Sequence, residues 1–351
     1  MEIGVFSFGD TQRERADRLG STSEAIRNLL DAITYADSCG VDFFGVGEHH
    51  TEYFPASSPA TIIAAAASVT TRIKLGSAVS VLSTDDPVRV FQQFSIANII
   101  SGGRVEYIAG RGSSTESFPL FGYDLKDYNE LFEEHLDLLL QLNLLDKNET
   151  FSWKGRFRSP IEHAKIVPQG DDPLKIWLAT GGNPSSSVNA GVRGLPIAYA
   201  IIGGHLSRFK PVVDLYRAAA LQQGPEGYVP EVSIAVPGFV ADDAKDAKNT
   251  FWQHWHWTMA TLGKVRGFAA PSRDHFDYEA NGDGALFVGD PDEIVERIVN
   301  AYKKFKMTRI FFQMDVGQMP HDRFLHAIEL LGKEVKPRVN KAILKLKDDE
   351  A

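Results

Sequence analysis

The chain contains little cysteine, because Cys39 is the single cysteine among 351 residues. One thiol excludes an intramolecular disulfide and a cysteine-based metal cluster. An excess of positive charge is also missing, since 37 Lys and Arg stand against 46 Asp and Glu, a net charge of −9. No broad basic face is therefore available to bind nucleic acid or an anionic membrane surface.

Long apolar runs are absent as well. No stretch approaches the roughly 18 uncharged apolar residues that a membrane-spanning helix requires. The first residues, MEIGVFSFGD, lack the basic start and the apolar run of a secretion signal. Together with the lone thiol, these absences predict a cytoplasmic protein. The composition, 43% hydrophobic and 24% charged, is that of a globular protein and excludes wholesale disorder.

The chain does contain a regular alternation of short apolar runs and longer amphipathic stretches, which is typical of strand–helix units around a parallel sheet. An open doubly wound sheet would carry a Gly-x-Gly-x-x-Gly turn after its first strand, and none follows Phe8. We therefore predict an α/β protein, a (β/α)8 TIM barrel with insertions, as one domain over residues 1–351. The eight predicted strands are Ile3–Phe8, Val41–Val46, Ile73–Leu82, Val105–Ala109, Lys175–Thr180, Ile197–Ile202, Val232–Val240 and Arg309–Gln313.

Two segments do not fit the eightfold repeat and are predicted to be insertions. Residues 151–168 have a hairpin-like pattern, and residues 263–286 are rich in Gly, Asp and Asn without an apolar period. Long segments of the second kind often cover active sites, so we expect this one to be a mobile lid. A passive surface insertion is the alternative.

In a parallel barrel the active site lies at the carboxyl ends of the strands. Glu48, His49 and His50 follow the second strand, and three titratable side chains in a row are costly to bury. Adjacent residues on an extended chain point to opposite sides, so the two histidines are not expected to share a metal ion. We expect one histidine to face the cavity and the other to be structural, and we predict no metal site. Two hydrogen-bonded surface histidines are the alternative.

Two loops on neighbouring strands predict an anion site. Gly110, Arg111 and Gly112 follow the fourth strand, where glycines let the backbone approach a ligand while the guanidinium binds an oxyanion. Residues 181–187 follow the fifth strand and open a helix, whose first N–H groups can bind an anion. The two loops together predict one phosphate held between them.

An aromatic segment with two plausible roles follows the seventh strand. Trp252 and Trp255 are three positions apart and share a helix face, which predicts either core or dimer packing or a wall for a flat ring system.

The sequence lacks a Gly-x-x-x-x-Gly-Lys loop and a Gly-x-Ser-x-Gly elbow, so kinase and serine hydrolase functions lose support.

The order and spacing of several motifs resemble the bacterial luciferase-like flavin-dependent monooxygenases over nearly the whole chain. This resemblance implies a TIM barrel that binds reduced FMN (FMNH2), which reacts with dioxygen to give a C4a-peroxyflavin that oxidises a small organic substrate. It also implies a separate NAD(P)H-dependent flavin reductase and a homodimer. The matching segments are Ile3–Phe6, Phe44–His50, Leu75–Leu82, Pro87–Arg89, Ser101–Arg104, Gly110–Gly112, Gly181–Pro184 and Arg193–Pro196.

The same resemblance implies roles for individual residues. Arg111 would hold the FMN phosphate with Gly182, Asn183 and Ser186, and His49 would be catalytic, supported by Glu48 and His50. A cis peptide bond between Ala78 and Val79 would support the flavin. The isoalloxazine pocket would be lined by Phe6, His49, Val79 and Trp255. A deazaflavin-dependent hydride transfer and a non-catalytic flavin-binding paralogue are the alternatives, and Glu48-His49-His50 looks more like the oxygenase branch.

Overall fold

A computed structural model describes residues 1–15, 18–112 and 114–350 of the chain. Within these residues, eight parallel strands form a closed barrel, in which the first strand along the chain pairs with both the second and the last, and the fourth pairs with the fifth. The predicted TIM barrel is therefore confirmed. The strands are β1 (Glu2–Ser7), β2 (Phe43–Val46), β3 (Lys74–Ser77), β4 (Val105–Gly110), β5 (Lys175–Thr180), β6 (Ile197–Ala200), β7 (Val232–Val240) and β8 (Arg309–Gln313).

Helices surround the barrel and cover its outer core. The helix Pro87–Ser101 illustrates how the sequence sets a boundary. Pro87 occupies its first turn, and the Asp86 side chain accepts hydrogen bonds from the N–H groups of Val88 and Arg89. No helix in the described ranges is long and apolar enough to cross a membrane. The helices are α1 (Thr22–Cys39), α2 (Pro59–Val69), α3 (Pro87–Ser101), α4 (Ser117–Phe121), α5 (Tyr128–Asn143), α6 (Pro184–Val192), α7 (Lys210–Gln223), α8 (Ala244–Arg266), α9 (Arg273–Glu279), α10 (Pro291–Phe305), α11 (His321–Leu330) and α12 (Lys336–Glu350).

The third strand is shorter than the sequence indicates. The apolar run suggests one strand to Leu82, whereas β3 ends at Ser77 and a separate short strand covers Ser80–Val81. The peptide bond between Ala78 and Val79 is cis, as the resemblance predicts. This bond separates two strand segments that the apolar pattern alone joins.

The structure agrees with the prediction for the first insertion and differs from it for the second. Phe151–Trp153 pairs antiparallel with Ile161–Ala164, which agrees with the hairpin-like pattern. Residues 263–286 are not a structureless loop, because α8 extends into them and α9 lies within them. Phe276 of α9 is fully buried, although the sequence of the segment shows no apolar period. A helix of two turns is too short for its apolar period to stand out in the sequence.

A buried ion-pair cluster fills the end of the barrel opposite the carboxyl ends of the strands. Arg309 on β8 is 1% exposed and binds both oxygens of Glu106 on β4, at 2.7 and 3.0 Å. Its Nε also donates to Glu2 on β1 at 2.7 Å, and its guanidinium lies 4.2 Å from the centre of the Phe43 ring. The indole N–H of Trp177 donates to Glu106 at 2.8 Å. Burial opposes ionisation of Glu106, but the Arg309 charge holds the pKa of that carboxyl below its usual value.

We expect Glu106→Gln to lower the free energy of unfolding by about 3 kcal/mol, because it leaves the buried Arg309 charge without its bidentate partner. Glu231→Gln is the matched control. Glu231 pairs with Lys175 where both side chains are about one-third exposed, and such pairs contribute less than about 1 kcal/mol. Urea denaturation of both variants measures the difference. Equal losses would contradict the special role of the buried cluster.

Candidate functional site

A largely apolar cavity of about 180 Å³ lies at the carboxyl ends of the barrel strands. Its inner walls carry small side chains, with Ala179 on β5, Ala198 on β6 and Ala235 on β7. Larger side chains at these inward-facing positions would occupy the space. Further lining residues are Phe6, Phe8, Glu48, His49, His50, Ala78, Val79, Ile108, Glu116, Tyr199, Phe311 and Gln313.

One wall of the cavity is a backbone shelf formed by Ala78 and Val79. Neighbouring strands approach this shelf so closely that two glycines are required. A Cβ on Gly110 would lie 2.3 Å from Cγ2 of Val79, and a Cβ on Gly45 would lie 2.5 Å from Cβ of Ala78. The close packing holds both shelf residues, which the resemblance assigns to flavin binding, against the cavity.

His49 is held by a carboxylate and by aromatic rings. Its Nδ1 lies 2.6 Å from Oε1 of Glu116, and its ring contacts those of Phe8 and Phe54 at centroid distances of 4.6 and 5.2 Å. The hydrogen bond from His49 is the largest influence on Glu116 and holds the pKa of its carboxyl below the usual value. Glu116 immediately precedes α4 and lines the cavity. Glu116 is not among the predicted site residues, because nothing in the local sequence pattern pairs it with a histidine 67 positions away.

His50 forms a separate pair with Glu48. Its Nε2 lies 3.0 Å from Oε1 of Glu48, whose other oxygen accepts hydrogen bonds from the hydroxyl of Ser80 and the N–H of Val81. Both His49 and His50 line the cavity. The expectation that only one could face it is wrong, because β2 ends before them and the alternation of an extended strand does not apply to the loop.

Arg111 reaches from the β4 loop to the start of α6. Its guanidinium lies 3.3 Å from the hydroxyl of Ser186 and 2.6 Å from Oε1 of Glu133 on α5, and it stacks 4.0 Å from the centre of the Phe132 ring. Its Nε is buried and has no partner within the described part of the chain. The two loops predicted to share an anion are therefore adjacent. The carboxylate of Glu133 is not predicted from the sequence, because it comes from a helix 22 positions along the chain.

Gly182 and Asn183 form the turn between β5 and α6. Gly182 has a φ of +99°, in the left-handed region that favours glycine. The N–H groups of both residues lie 3.1–3.2 Å from the hydroxyl of Thr180, and the Asn183 side chain accepts a hydrogen bond from the N–H of Ser185. The turn thus lies beside Arg111 and Ser186 as predicted, but these backbone donors already have partners within the turn.

Trp255 lies away from the cavity, which corrects its predicted place in the isoalloxazine pocket. It is 3% exposed and packs against Phe276 and Trp252, at centroid distances of 5.5 and 6.3 Å. The helix face that carries both tryptophans is turned toward α9 instead of the barrel axis. This arrangement corresponds to the core-packing alternative that the sequence left open.

Two buried carboxyl groups connect the loops after β1 and β8. Asp315 accepts a hydrogen bond from the hydroxyl of Ser7, and Asp10 accepts bonds from the N–H groups of Gly317 and Gln318 at 3.1 and 3.4 Å. Burial, and then the charge of its neighbour Asp315, raises the pKa of Asp10 well above its usual value. Burial likewise raises the pKa of Asp315 to about 6. The pair therefore retains a proton where isolated carboxyl groups are ionised.

Comparison with known proteins gives one family and several related folds. The family model described as luciferase-like monooxygenase matches residues 1–309. The limonene 1,2-monooxygenase of Rhodococcus erythropolis is 24% identical over 327 residues, which cover 90% of this chain and 82% of that protein.

Two solved structures share the fold over almost their whole length. The oxygenating constituent of 3,6-diketocamphane monooxygenase from Pseudomonas putida, in complex with FMN, has a TM-score of 0.76 and 21% identity, covering 97% of this chain and 99% of that one. The coenzyme F420-dependent tetrahydromethanopterin reductase of Methanopyrus kandleri has a TM-score of 0.71 and 17% identity, covering 96% and 99%.

Proposed function

Because the chain belongs to the luciferase-like monooxygenases, we propose that it is an FMN-dependent monooxygenase that oxidises a small organic substrate with dioxygen. The observation that carries this proposal is one apolar cavity with the His49–Glu116 pair on its wall and the Arg111–Ser186 pair on the adjacent loops. Reduced FMN would supply the electrons that activate dioxygen. A separate NAD(P)H-dependent reductase would provide it in the cytoplasm.

The residues present fit FMN. The Arg111 guanidinium and the Ser186 hydroxyl would hold the phosphate, and the buried, unpartnered Nε of Arg111 is a donor that an anion could satisfy. Glu133 already accepts one Arg111 hydrogen bond, so the arginine is oriented before a ligand binds. Phe6 and the Ala78–Val79 shelf would contact the flat ring system, as apolar walls do in most small-molecule sites.

The His49–Glu116 pair would handle protons in the cavity. When Nδ1 of His49 donates to the Glu116 carboxylate, the carboxylate fixes the tautomer of the ring and leaves Nε2 to exchange a proton with a bound molecule. The aromatic rings of Phe8 and Phe54 pack beside the histidine and shield it from bulk water. His49 is therefore the proposed catalytic residue, and Glu116 positions it.

Deazaflavin-dependent hydride transfer is the second candidate. The F420-dependent neighbour supports it, because that reductase shares the barrel over almost its whole length. A paired histidine and carboxylate also suits a hydride transfer that is coupled to proton transfer. Titration of the protein with FMN and with F420 discriminates between these functions, and the absence of oxygen-dependent turnover with either would favour a non-catalytic paralogue.

A homodimer is proposed on the basis of an exposed apolar patch. The patch consists of Val69 on α2 and Ile96, Ile99 and Ile100 on α3, each about half exposed on adjacent helices. Ile99 and Ile100 follow Ile96 by three and four positions, so both lie near it on the helix surface. Exposed apolar surface of this kind is typical of protein–protein contacts.

We expect Arg111→Ala to weaken FMN binding by roughly 2–4 kcal/mol, because it removes the cation that pairs with the phosphate. Isothermal titration calorimetry with FMN measures the loss. Arg89→Ala, which truncates an exposed arginine on α3, is the matched control and should bind FMN normally. Unchanged FMN affinity in Arg111→Ala would remove this role.

We expect His49→Ala to slow substrate oxygenation by about 10²- to 10⁴-fold, the usual effect of removing a positioned acid–base group. Glu116→Gln should cause a smaller loss, because glutamine still accepts the Nδ1 hydrogen bond. Oxygenated product per reduced FMN is measured for both variants and for His50→Ala at matched thermal stability. Loss of product in the His50 variant alone would reverse the assignment.

We expect Ile99→Glu to convert the dimer into a monomer, because a carboxylate at the centre of the patch would be desolvated on association. Light scattering of the purified chain measures the mass. Leu344→Glu, at an exposed position on α12, is the matched control and should remain dimeric. A monomeric native chain would refute the homodimer.

A further inference from the structure

A second, polar cavity of about 130 Å³ lies behind the Glu48–His50 pair. Glu48 and His50 line both this side chamber and the main cavity, so the pair forms part of the wall between them. A larger share of the side chains that line the chamber is polar than in the main cavity. Its other polar lining residues are Ser57, Ser58, Ser80, Thr84, Asp85 and Gln93.

The buried hydroxyl group of Thr84 indicates that the side chamber binds a polar molecule such as water. The residue is 4% exposed, and its hydroxyl has no hydrogen-bond partner among the residues that the structure describes. Buried hydroxyl groups are almost always hydrogen-bonded, either to protein or to ordered water. A chamber of this size, with several polar walls, has room for more than one water molecule.

Asp85 joins the side chamber to the protein surface. Its carboxyl group lines the chamber, remains partly exposed and accepts a hydrogen bond from the N–H of Asp86 at 2.7 Å. Burial is the main cause that raises the pKa of Asp85 to about 6, and the negative charges of Glu48 and Asp86 act in the same direction. The carboxyl group can therefore take up and release a proton near neutral pH.

Several titratable or charged groups surround Asp85. The charges of Glu48 and Asp86 favour its protonated form and the charge of Arg89 opposes it, while His50 also lines the chamber. Two tyrosines also respond to its charge: burial raises the pKa of each phenol, and the Asp85 carboxylate adds to that rise. These are Tyr107 and Tyr123.

We propose that the side chamber holds hydrogen-bonded water and that Asp85, Glu48 and His50 form a proton route between solvent and the main cavity. The inference deepens the proposed function and rests on it. The contacts are continuous on the cavity side, where His50 and Glu48 are 3.0 Å apart and Glu48 accepts from the Ser80 hydroxyl at 3.0 Å. Water in the chamber would span the remaining gap to Asp85.

The proposed reaction uses such a route when the reduced flavin carries fewer than two protons. Converting one oxygen atom of dioxygen to water consumes two protons and two electrons. Neutral FMNH2 would supply two electrons and two protons, whereas its anion FMNH− would supply two electrons and one proton, so that the second proton comes from solvent. Along the route, Asp85 passes a proton through the chamber water to the Glu48–His50 pair, which releases one proton into the main cavity. Solvent then reprotonates Asp85. Each step moves one proton and leaves the oxidation state of the side chains unchanged.

The route separates the roles of the two histidines. His49 is bonded to Glu116 and packed against aromatic rings, so it serves a molecule inside the main cavity. His50 is bonded to Glu48 and also lines the side chamber, so it can exchange protons across the wall. The pairing of each histidine with a different carboxylate keeps these tasks apart.

The first test measures proton delivery to bound flavin. Asp85→Asn keeps an acceptor for the Asp86 N–H but cannot carry a proton. We expect the reoxidation of bound reduced FMN, followed by stopped-flow absorbance from pH 5.5 to 8.5, to slow about tenfold near pH 7. Added imidazole, a small proton donor, should restore the rate. Glu52→Gln is the matched control, since Glu52 is exposed and outside the chamber lining.

The second test does not need flavin and therefore distinguishes failure of the route from failure of the proposed function. NMR of the flavin-free protein measures hydrogen exchange between the His50 ring N–H and water. We expect Asp85→Asn and Thr84→Val each to slow this exchange several-fold, with His49 unaffected. If the His50 exchange rate is unchanged in both variants, the route is wrong. If exchange slows but FMN does not bind, the route stands and the proposed function fails.

Discussion

The burial of one guanidinium group constrains the whole barrel. Arg309 on the last strand binds Glu2 on the first strand and Glu106 on the fourth. A charge with almost no contact with water is tolerated only when its partners are in place, so these three strands cannot shift in register without exposing or isolating it. The carboxyl ends of the same strands carry the loops of the candidate site. The ion pairs at one end of the barrel thus fix the loop positions at the other.

At the site end, acidic side chains organise the functional groups. Glu116 holds His49, Glu48 holds His50, and Glu133 holds Arg111. Each cation or potential cation is therefore oriented by a carboxylate before any ligand enters. Preorganised groups lose little freedom when a ligand binds, and this reduces the entropic cost of binding. Pairing each of these groups with a carboxylate is also in keeping with the net negative charge of the chain.

The sequence predicts the parts of this structure that depend on local patterns. Alternating apolar periods locate the strands and helices, and the loops around Arg111 and Ser186 come together because adjacent parallel strands place them at one edge. The cis bond at Ala78–Val79 was predicted from family resemblance only, since small side chains permit it without requiring it. Glu116 and Asp85 acquire their roles from contacts between distant segments, which a local pattern does not contain. Trp255 is a residue whose local pattern suggests a role that its contacts do not bear out. The same sequence pattern of aromatic residues on one helix face occurs whether that face contacts a ligand or another helix.

The cavity exists because the strands that line it carry small side chains at positions where large side chains would fill the space. Ala179, Ala198 and Ala235 line it from three consecutive strands, whereas the glycines behind the Ala78–Val79 shelf cannot accept a side chain without a clash. The two walls therefore differ in their capacity for evolutionary change. The side chains of the shelf are packed closely against Gly45 and Gly110, whereas each alanine borders open cavity space into which a larger side chain could extend. Divergence of substrate preference among relatives with this barrel would be expected to accumulate on the alanine wall, one strand at a time, with the opposite wall left unchanged.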